Sequence, residues 1–216
     1  MSFTYLTLDP DWESGRDPAS FAELEEAAVE VIGHLKEHGF GEHKLIIIGG
    51  LAVWKLLPYY RTTDDIDFLI TVNGAPNALK ALKEKLERIY NSPFVDNAGV
   101  LSYNSISGKL IRIDLMPDSQ LPYLPENAQK VSEIQSVSLP YVSIEDLIVF
   151  KINSCGLRVA SDKKVQDAAD AYSAVASAGL SLRLSNKQKH TARGGLPAVA
   201  AALGYPKSWW EGKLAL

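Results

Sequence analysis

Residues Ile46 to Ile70 read IIIGGLAVWKLLPYYRTTDDIDFLI, and this stretch decides the fold. Lys44 to Ile48 ends in three consecutive isoleucines, a pattern that suits a short strand covered on both faces. Gly49-Gly50 turns the chain, a helix is predicted from Leu51 to Tyr60 with Pro58 near its end, and Asp65 to Thr71 forms a second strand. Glycines between a strand and a helix let backbone approach a phosphate closely, and a helix N-terminus offers unpaired N–H groups and partial positive charge. The plain alternative is a tight turn.

Asp65 and Asp67 stand at i and i+2, so on a strand they project from one face. Two carboxylates held this close repel one another, and aspartate has low strand propensity. A divalent cation held between them on oxygen ligands offsets that repulsion, so the two penalties together suggest a metal-binding use; the bland reading is a hydrated strand entrance. A third acid, Asp114, lies in Leu110-Ile111-Arg112-Ile113-Asp114-Leu115-Met116. Its apolar neighbours predict burial, and buried carboxylates are rare unless paired or metal-bound. Arg112, two residues away on the same face, makes an ordinary Arg–Asp pair the competing explanation.

The rest of the chain supplies a frame for these residues. Phe21 to His38 has helical spacing of apolar residues, with Asp17 or Ser20 as cap and Gly39 as stop. Ala75 to Tyr90 is an amphipathic helix. A strand at Val100 to Asn104, a turn at Ser107 to Lys109 and a strand from Leu110 to Leu115 follow, and Pro117 to Gln135 reads as a loop. Ser143 caps a helix containing Lys151, and Asp162 opens another that runs to about Ala178. The tail holds a helix at Leu196 to Leu203 and the pair Trp209-Trp210, read as folded back onto the core. The expected organisation is a mixed α/β part over residues 1–140 and a mostly helical part over 141–216.

Composition narrows the function classes. The 216 residues are 46% apolar and 22% charged, enough for a full core, with net charge −4 and no lysine- or arginine-rich run. A large nucleic-acid footprint needs a concentrated basic face. No apolar run approaches the length of a membrane helix, and Met1 to Leu6 has no signal-peptide character. The single cysteine, Cys155, excludes an internal disulfide and a cysteine metal cluster, so a reducing, cytoplasmic setting is expected. His34 and His38 sit a turn apart on the first helix, which permits metal binding. No third ligand is evident, and the pair reads as facing solvent.

The order of these parts resembles the DNA polymerase β-type nucleotidyltransferase superfamily. Gly49-Gly50-Leu51-Ala52 followed by Arg61-Thr62-Thr63-Asp64-Asp65-Ile66-Asp67 is most similar to its minimal branch, which includes abortive-infection nucleotidyltransferase toxins and antibiotic nucleotidyltransferases. Lys151, Arg158 and Lys164-Val165-Gln166-Asp167-Ala168-Ala169-Asp170 match that branch's later lysine, arginine and Lys-x-x-Asp-x-x-Asp pattern. The likeness spans roughly Lys44 to Val175. It implies an α+β fold with a mixed sheet flanked by helices and a helical C-terminal part. The implied reaction moves a nucleoside monophosphate from a nucleoside triphosphate such as ATP to a hydroxyl acceptor, with release of pyrophosphate.

In that scheme two Mg²⁺ ions, with Mn²⁺ as a substitute, sit roughly 3.5–4 Å apart. Asp65, Asp67 and Asp114 hold them, and Asp114 accepts the acceptor proton. Gly49, Gly50 and Thr63 belong to the nucleotide-binding set, and Lys151, Arg158 and Lys164 neutralise the leaving pyrophosphate. Arg61 either joins that set or bonds the turn before Asp65. Leu51 stands where many relatives carry serine or threonine, which leaves phosphate to backbone N–H groups. The acceptor is a small molecule, RNA or protein, with a small hydroxylated molecule slightly favoured by the acidic charge. An antitoxin or a second copy is a candidate partner. Glycosyl transfer from a nucleotide-sugar also uses Asp-x-Asp, but it accounts for neither the Gly-Gly turn nor Asp114. A degenerate, nucleotide- or partner-binding module is the non-enzymatic alternative.

Overall fold

The computed structural model describes residues 18–72, 77–97, 99–179 and 182–216. The isoleucine run is strand β1 (Lys44–Ile48), and its alternation sets the layering of the molecule. Leu45 and Ile47 enter one buried cluster, while Ile46 and Ile48 enter another on the opposite face. That two-sided burial is what an uninterrupted apolar strand requires.

Strand β2 (Asp65–Ile70) lies antiparallel to β1, with Ile48 opposite Asp67. Beyond it come β3 (Phe94–Asn97), β4 (Val100–Asn104) and β5 (Leu110–Pro117); β5 runs parallel to β2, and β4 is antiparallel to both β3 and β5. A two-residue strand, β6 (Gln129–Lys130), completes the six-stranded order β3-β4-β5-β2-β1-β6. The mixed sheet matches the expected α+β class.

Helices α1 (Phe21–Glu37) and α3 (Asn77–Glu87) pack on one face through Leu24, Val31, Leu35, Leu82 and Leu86. The other face carries α4 (Ile144–Leu157), α5 (Ser161–Ala178), α6 (Asn186–Leu203) and α7 (Lys207–Leu214). Between them, α2 (Gly49–Leu56) contributes Leu51 to the first core and Ala52 and Val53 to the second. No helix among the described residues is long and apolar enough to cross a membrane.

Several boundaries differ from the sequence reading, each for a physical reason. Ser20 caps α1 through a capping box with Glu23, and the other cap candidate, Asp17, lies outside the described residues. Helix α2 starts at Gly49 itself and stops at Leu56, ahead of Pro58, whose ring disfavours helical backbone in the residue before it. Helix α3 is shorter than predicted at its C-terminal end, and its predicted start, Ala75, lies outside the described residues. Strand β3 was not expected, because Asp96-Asn97 disfavours a strand directly after Phe94-Val95, and pairing with β4 holds it. The predicted loop Pro117 to Gln135 contains β6 and two 3₁₀ turns.

Helix α6 begins ten residues before the predicted Leu196. Gly194, Gly195 and Pro197 look like breakers, yet a Ser185–Gln188 capping box starts the helix and tertiary packing carries it through them. Gly195 explains the packing: a Cβ there would lie 2.1 Å from the Ile152 carbonyl oxygen, so α4 and α6 touch backbone to backbone. Gly195→Ala is expected to lower stability by about 1–3 kcal/mol, read as a lower urea midpoint at unchanged slope. Gly194→Ala, with nothing within 4 Å of its new methyl, serves as the control and should raise stability by about 0.5–1 kcal/mol. Trp210 is fully buried in α7, and Tyr172, Tyr205 and Trp209 stack beside it, so the tail does fold back onto the core.

Candidate active site

The first turn of α2 is shaped around two side chains. Gly49 has φ +66°, and a Cβ on it would fall 1.6 Å from Asp67 Oδ2. A Cβ on Gly50 would meet Thr63 Oγ1 at 2.3 Å. Both glycines are therefore required by close approach, and Gly49 also by its left-handed backbone. The Gly50 N–H donates to Asp67 Oδ2 at 3.3 Å, and the Thr63 hydroxyl donates to Asp65 Oδ1 at 2.5 Å. Gly49→Ala should keep the hydrophobic cores yet lower stability by about 1–3 kcal/mol as its methyl displaces the Asp67 carboxylate; an unchanged urea midpoint would contradict this close approach.

On β2, Ile66, Phe68 and Ile70 enter the first core and Leu69 enters the second. Asp65 and Asp67 thus share the face covered by α4–α7, at the N-terminal end of β2. On β5, Ile111, Ile113 and Leu115 point to the first core, which puts Arg112 and Asp114 on the same face as the β2 acids. The parallel register sets Asp67 beside Asp114 and Asp65 beside Arg112. Adjacent strands lie about 4.8 Å apart, so the three carboxylates form one cluster.

Electrostatics mark the cluster. Burial, followed by the charges of Asp65 and Asp114, pushes the Asp67 carboxyl up to about 6. Lys151 and the Gly50 amide oppose this only in part. Asp114 itself departs from expectation: its side chain is 39% exposed rather than buried, because the apolar neighbours that suggested burial face the other core. Arg112 reaches it at 3.4 Å across an exposed pair, which is worth little.

The basic residues fall into an arrangement the sequence did not reveal. Lys151, buried on α4, bridges Asp167 Oδ1 at 3.0 Å and Asp170 Oδ2 at 2.7 Å. Arg61 grips Asp170 with two nitrogens, Nε and Nη2, at 2.7 and 2.8 Å. Arg158 reaches Asp167 through Nε at 2.9 Å, and its side chain is otherwise exposed. Among the described residues, neither Asp167 nor Asp170 forms an ion pair with Lys163 or Lys164 of its own helix. They face inward from α5 to collect three cations. Burial would raise the Asp170 carboxyl, but Lys151 and Arg61 hold it below the usual range. Lys164 is half-buried and forms no ion pair among the described residues. Three cations against two carboxylates leave the network net positive beside three aspartates.

A mixed sheet with this helical cover is the frame of the nucleotidyltransferases, and the chain is one of them. It belongs to the nucleotidyl transferase AbiEii toxin family of type IV toxin–antitoxin systems, whose model matches residues 33–185. No curated protein matches the chain. Among solved structures, an antigenic nucleotidyltransferase-like protein from Paracoccidioides brasiliensis is similar over 87% of this chain and 95% of its own. The identity is 21% and the TM-score 0.55, a likeness of fold. The antibiotic-resistance factor ANT(2'')-Ia aligns over 85% of this chain and 97% of its own, at 17% identity and a TM-score of 0.42.

Proposed function

We propose that this protein is a Mg²⁺-dependent enzyme that moves a nucleoside monophosphate from a nucleoside triphosphate to a hydroxyl acceptor and releases pyrophosphate. The observation that carries the reading is the carboxylate cluster of Asp65, Asp67 and Asp114, lodged against a glycine turn too tight for any side chain. The cluster suits a divalent cation: its ligands are oxygens, and burial together with the charges of Asp65 and Asp114 already raises Asp67 to about 6. Bound there, Mg²⁺ would supply Lewis-acid stabilisation of the phosphoryl oxygens.

The chain's own groups do the remaining work. Asp114, whose side chain is 39% exposed, takes the proton of the acceptor hydroxyl. Gly50 spends its amide on Asp67, so the other first-turn amides of α2, those of Gly49 and Leu51, meet the phosphates. Thr63 fixes the Asp65 carboxylate by its hydroxyl. Arg158, with its terminal guanidinium nitrogens open, and Lys164 neutralise the leaving pyrophosphate. Lys151 and Arg61 act as positioning residues, because their charges are already committed to Asp167 and Asp170. Residues 1–140 and 141–216 work as a sheet-bearing part and a helical part that close on one another. A small hydroxylated molecule is the favoured acceptor, and an antitoxin the favoured protein partner.

Thermal shift of wild type and the Asp65→Asn/Asp67→Asn double variant with ATP, GTP, CTP and UTP, each with and without Mg²⁺, tests the reading. Stabilisation that needs both metal and triphosphate and vanishes in the variant is expected. Stabilisation that survives in the variant would remove the aspartates from the site. Release of pyrophosphate from the triphosphate on addition of candidate hydroxylated acceptors then tests the chemistry.

A further inference from the structure

The last turn of helix α1 and its C-cap read His34-Leu35-Lys36-Glu37-His38, and they bring more together than two histidines. One ring nitrogen of each histidine and a carboxylate oxygen of Glu37 all lie within 4.8 Å of one another. Spacing of three and four residues puts the three on one helical face. The histidines do not simply face solvent, as the sequence suggested. His34 packs edge-on against Phe94 at 5.3 Å, and its Nδ1 is buried without a hydrogen-bond partner. His38 Nδ1 lies 2.8 Å from the His34 backbone carbonyl. As the donor it fixes the tautomer whose Nε2 carries the free lone pair, the arrangement common to metal-ligating histidines.

We infer that His34, Glu37 and His38 form a second metal site, selective for a borderline transition ion such as Zn²⁺ and separate from the aspartate cluster. Two imidazoles and a carboxylate are a ligand set zinc accepts with one position left open. Mg²⁺, which demands oxygen ligands, is a poor match. The position favours a cation as well, since the C-terminal end of a 17-residue helix carries partial negative charge. The aspartates sit at the C-terminal end of β1, opposite Ile48, whereas α1 delivers its last turn ahead of Lys44 at the other end of that strand. Zinc here ties the final turn of α1 to its C-cap.

The test is equilibrium dialysis against Zn²⁺ in excess Mg²⁺, with bound zinc measured by elemental analysis. Wild type and the Asp65→Asn/Asp67→Asn variant should each retain one zinc per chain. His38→Ala should lose at least about tenfold in affinity and Glu37→Gln about tenfold, in line with loss of one ligand. His38 and Glu37 lie at the helix end, and circular dichroism without zinc verifies that each variant is folded. Cobalt(II) substitution should give visible d–d bands in wild type that His38→Ala abolishes. Zinc retained undiminished by both single variants, zinc lost only with the aspartates, or no zinc in wild type would each overturn the inference.

Discussion

Asp67→Asn should make the metal-free protein more stable at neutral pH and, at the same time, abolish its chemistry. The carboxyl titrates at about 6 in the fold against an ordinary value of 3.8. A raised folded value means that its contribution is fully present below about 3.8 and is lost as pH rises through 6. Above that window wild type holds an ionised carboxylate beside two others, at a cost of about 2–3 kcal/mol, since each pH unit between the folded and ordinary values corresponds to about 1.4 kcal/mol. Asparagine keeps the shape and removes the charge. Wild type and variant should therefore have similar stability near pH 4 and diverge as pH rises, the variant being the more stable in EDTA. Saturating Mg²⁺ should reverse the order. A metal that stabilises the transition state by several kcal/mol implies a loss of about a thousandfold in turnover when its ligand is removed. Urea melts from pH 4 to 8, with and without Mg²⁺, decide the matter. A constant gap between the two proteins across that range would mean Asp67 is not held as described.

Asp170→Ala should be the most damaging single change outside the hydrophobic cores. Asp170 is wholly buried and joins Arg61, on the segment leading into β2, to Lys151 on α4. Its removal leaves a buried ammonium with one partner instead of two and releases the Arg61 fork. Breaking such a buried pair typically costs about 3–5 kcal/mol, which in a protein of this size lowers the melting temperature by about 10 °C or more. The depressed carboxyl contributes stability that is present above about 3.8 and lost as pH falls through its folded value, so the variant's acid limb should be flatter. Asp170→Asn, which can still accept from Arg61, should fall between. Nucleotide binding should weaken too, since Arg61 then no longer fixes the approach to Thr63 and Asp65. A melting point within two or three degrees of wild type would show the network to be dispensable, because about 1 kcal/mol moves the midpoint only that far.

The aspartates were legible because their presence on a strand is costly. Clustered like charges on poor strand formers call for an explanation, and the glycine turn before them narrows it. The sequence could also say that Asp65 and Asp67 share a face, since that follows from the pleat alone. It could not say what covers that face. Asp114 looked buried because Ile113 and Leu115 are, yet they belong to the opposite core. Lys151, Asp167 and Asp170 were visible as a pattern, but their mutual pairing depends on how α5 lies against α4, which no local rule supplies. Helix α6 was cut short by rules for glycine and proline that hold for isolated helices. Here the missing Cβ of Gly195 is what lets α4 and α6 meet. Glu37, three residues after His34 and next to His38, has the spacing that brings its carboxylate to the two imidazoles.

The two hydrophobic cores have a consequence for how the chain could be divided. Ile46, Ile48, Ala52, Val53 and Leu69 of the sheet-bearing part share one core with Ile148, Ile152, Leu196 and Trp210 of the helical part. A break near residue 140 would leave each fragment with an apolar wall and with only part of the charge set: aspartates on one piece, most of the cations on the other. Neither piece should be active alone, and both should aggregate when made separately. Produced together, they should find each other through those walls and regain turnover, which makes this protein a candidate for split-enzyme complementation, with recovery of signal reporting the docking of two surfaces.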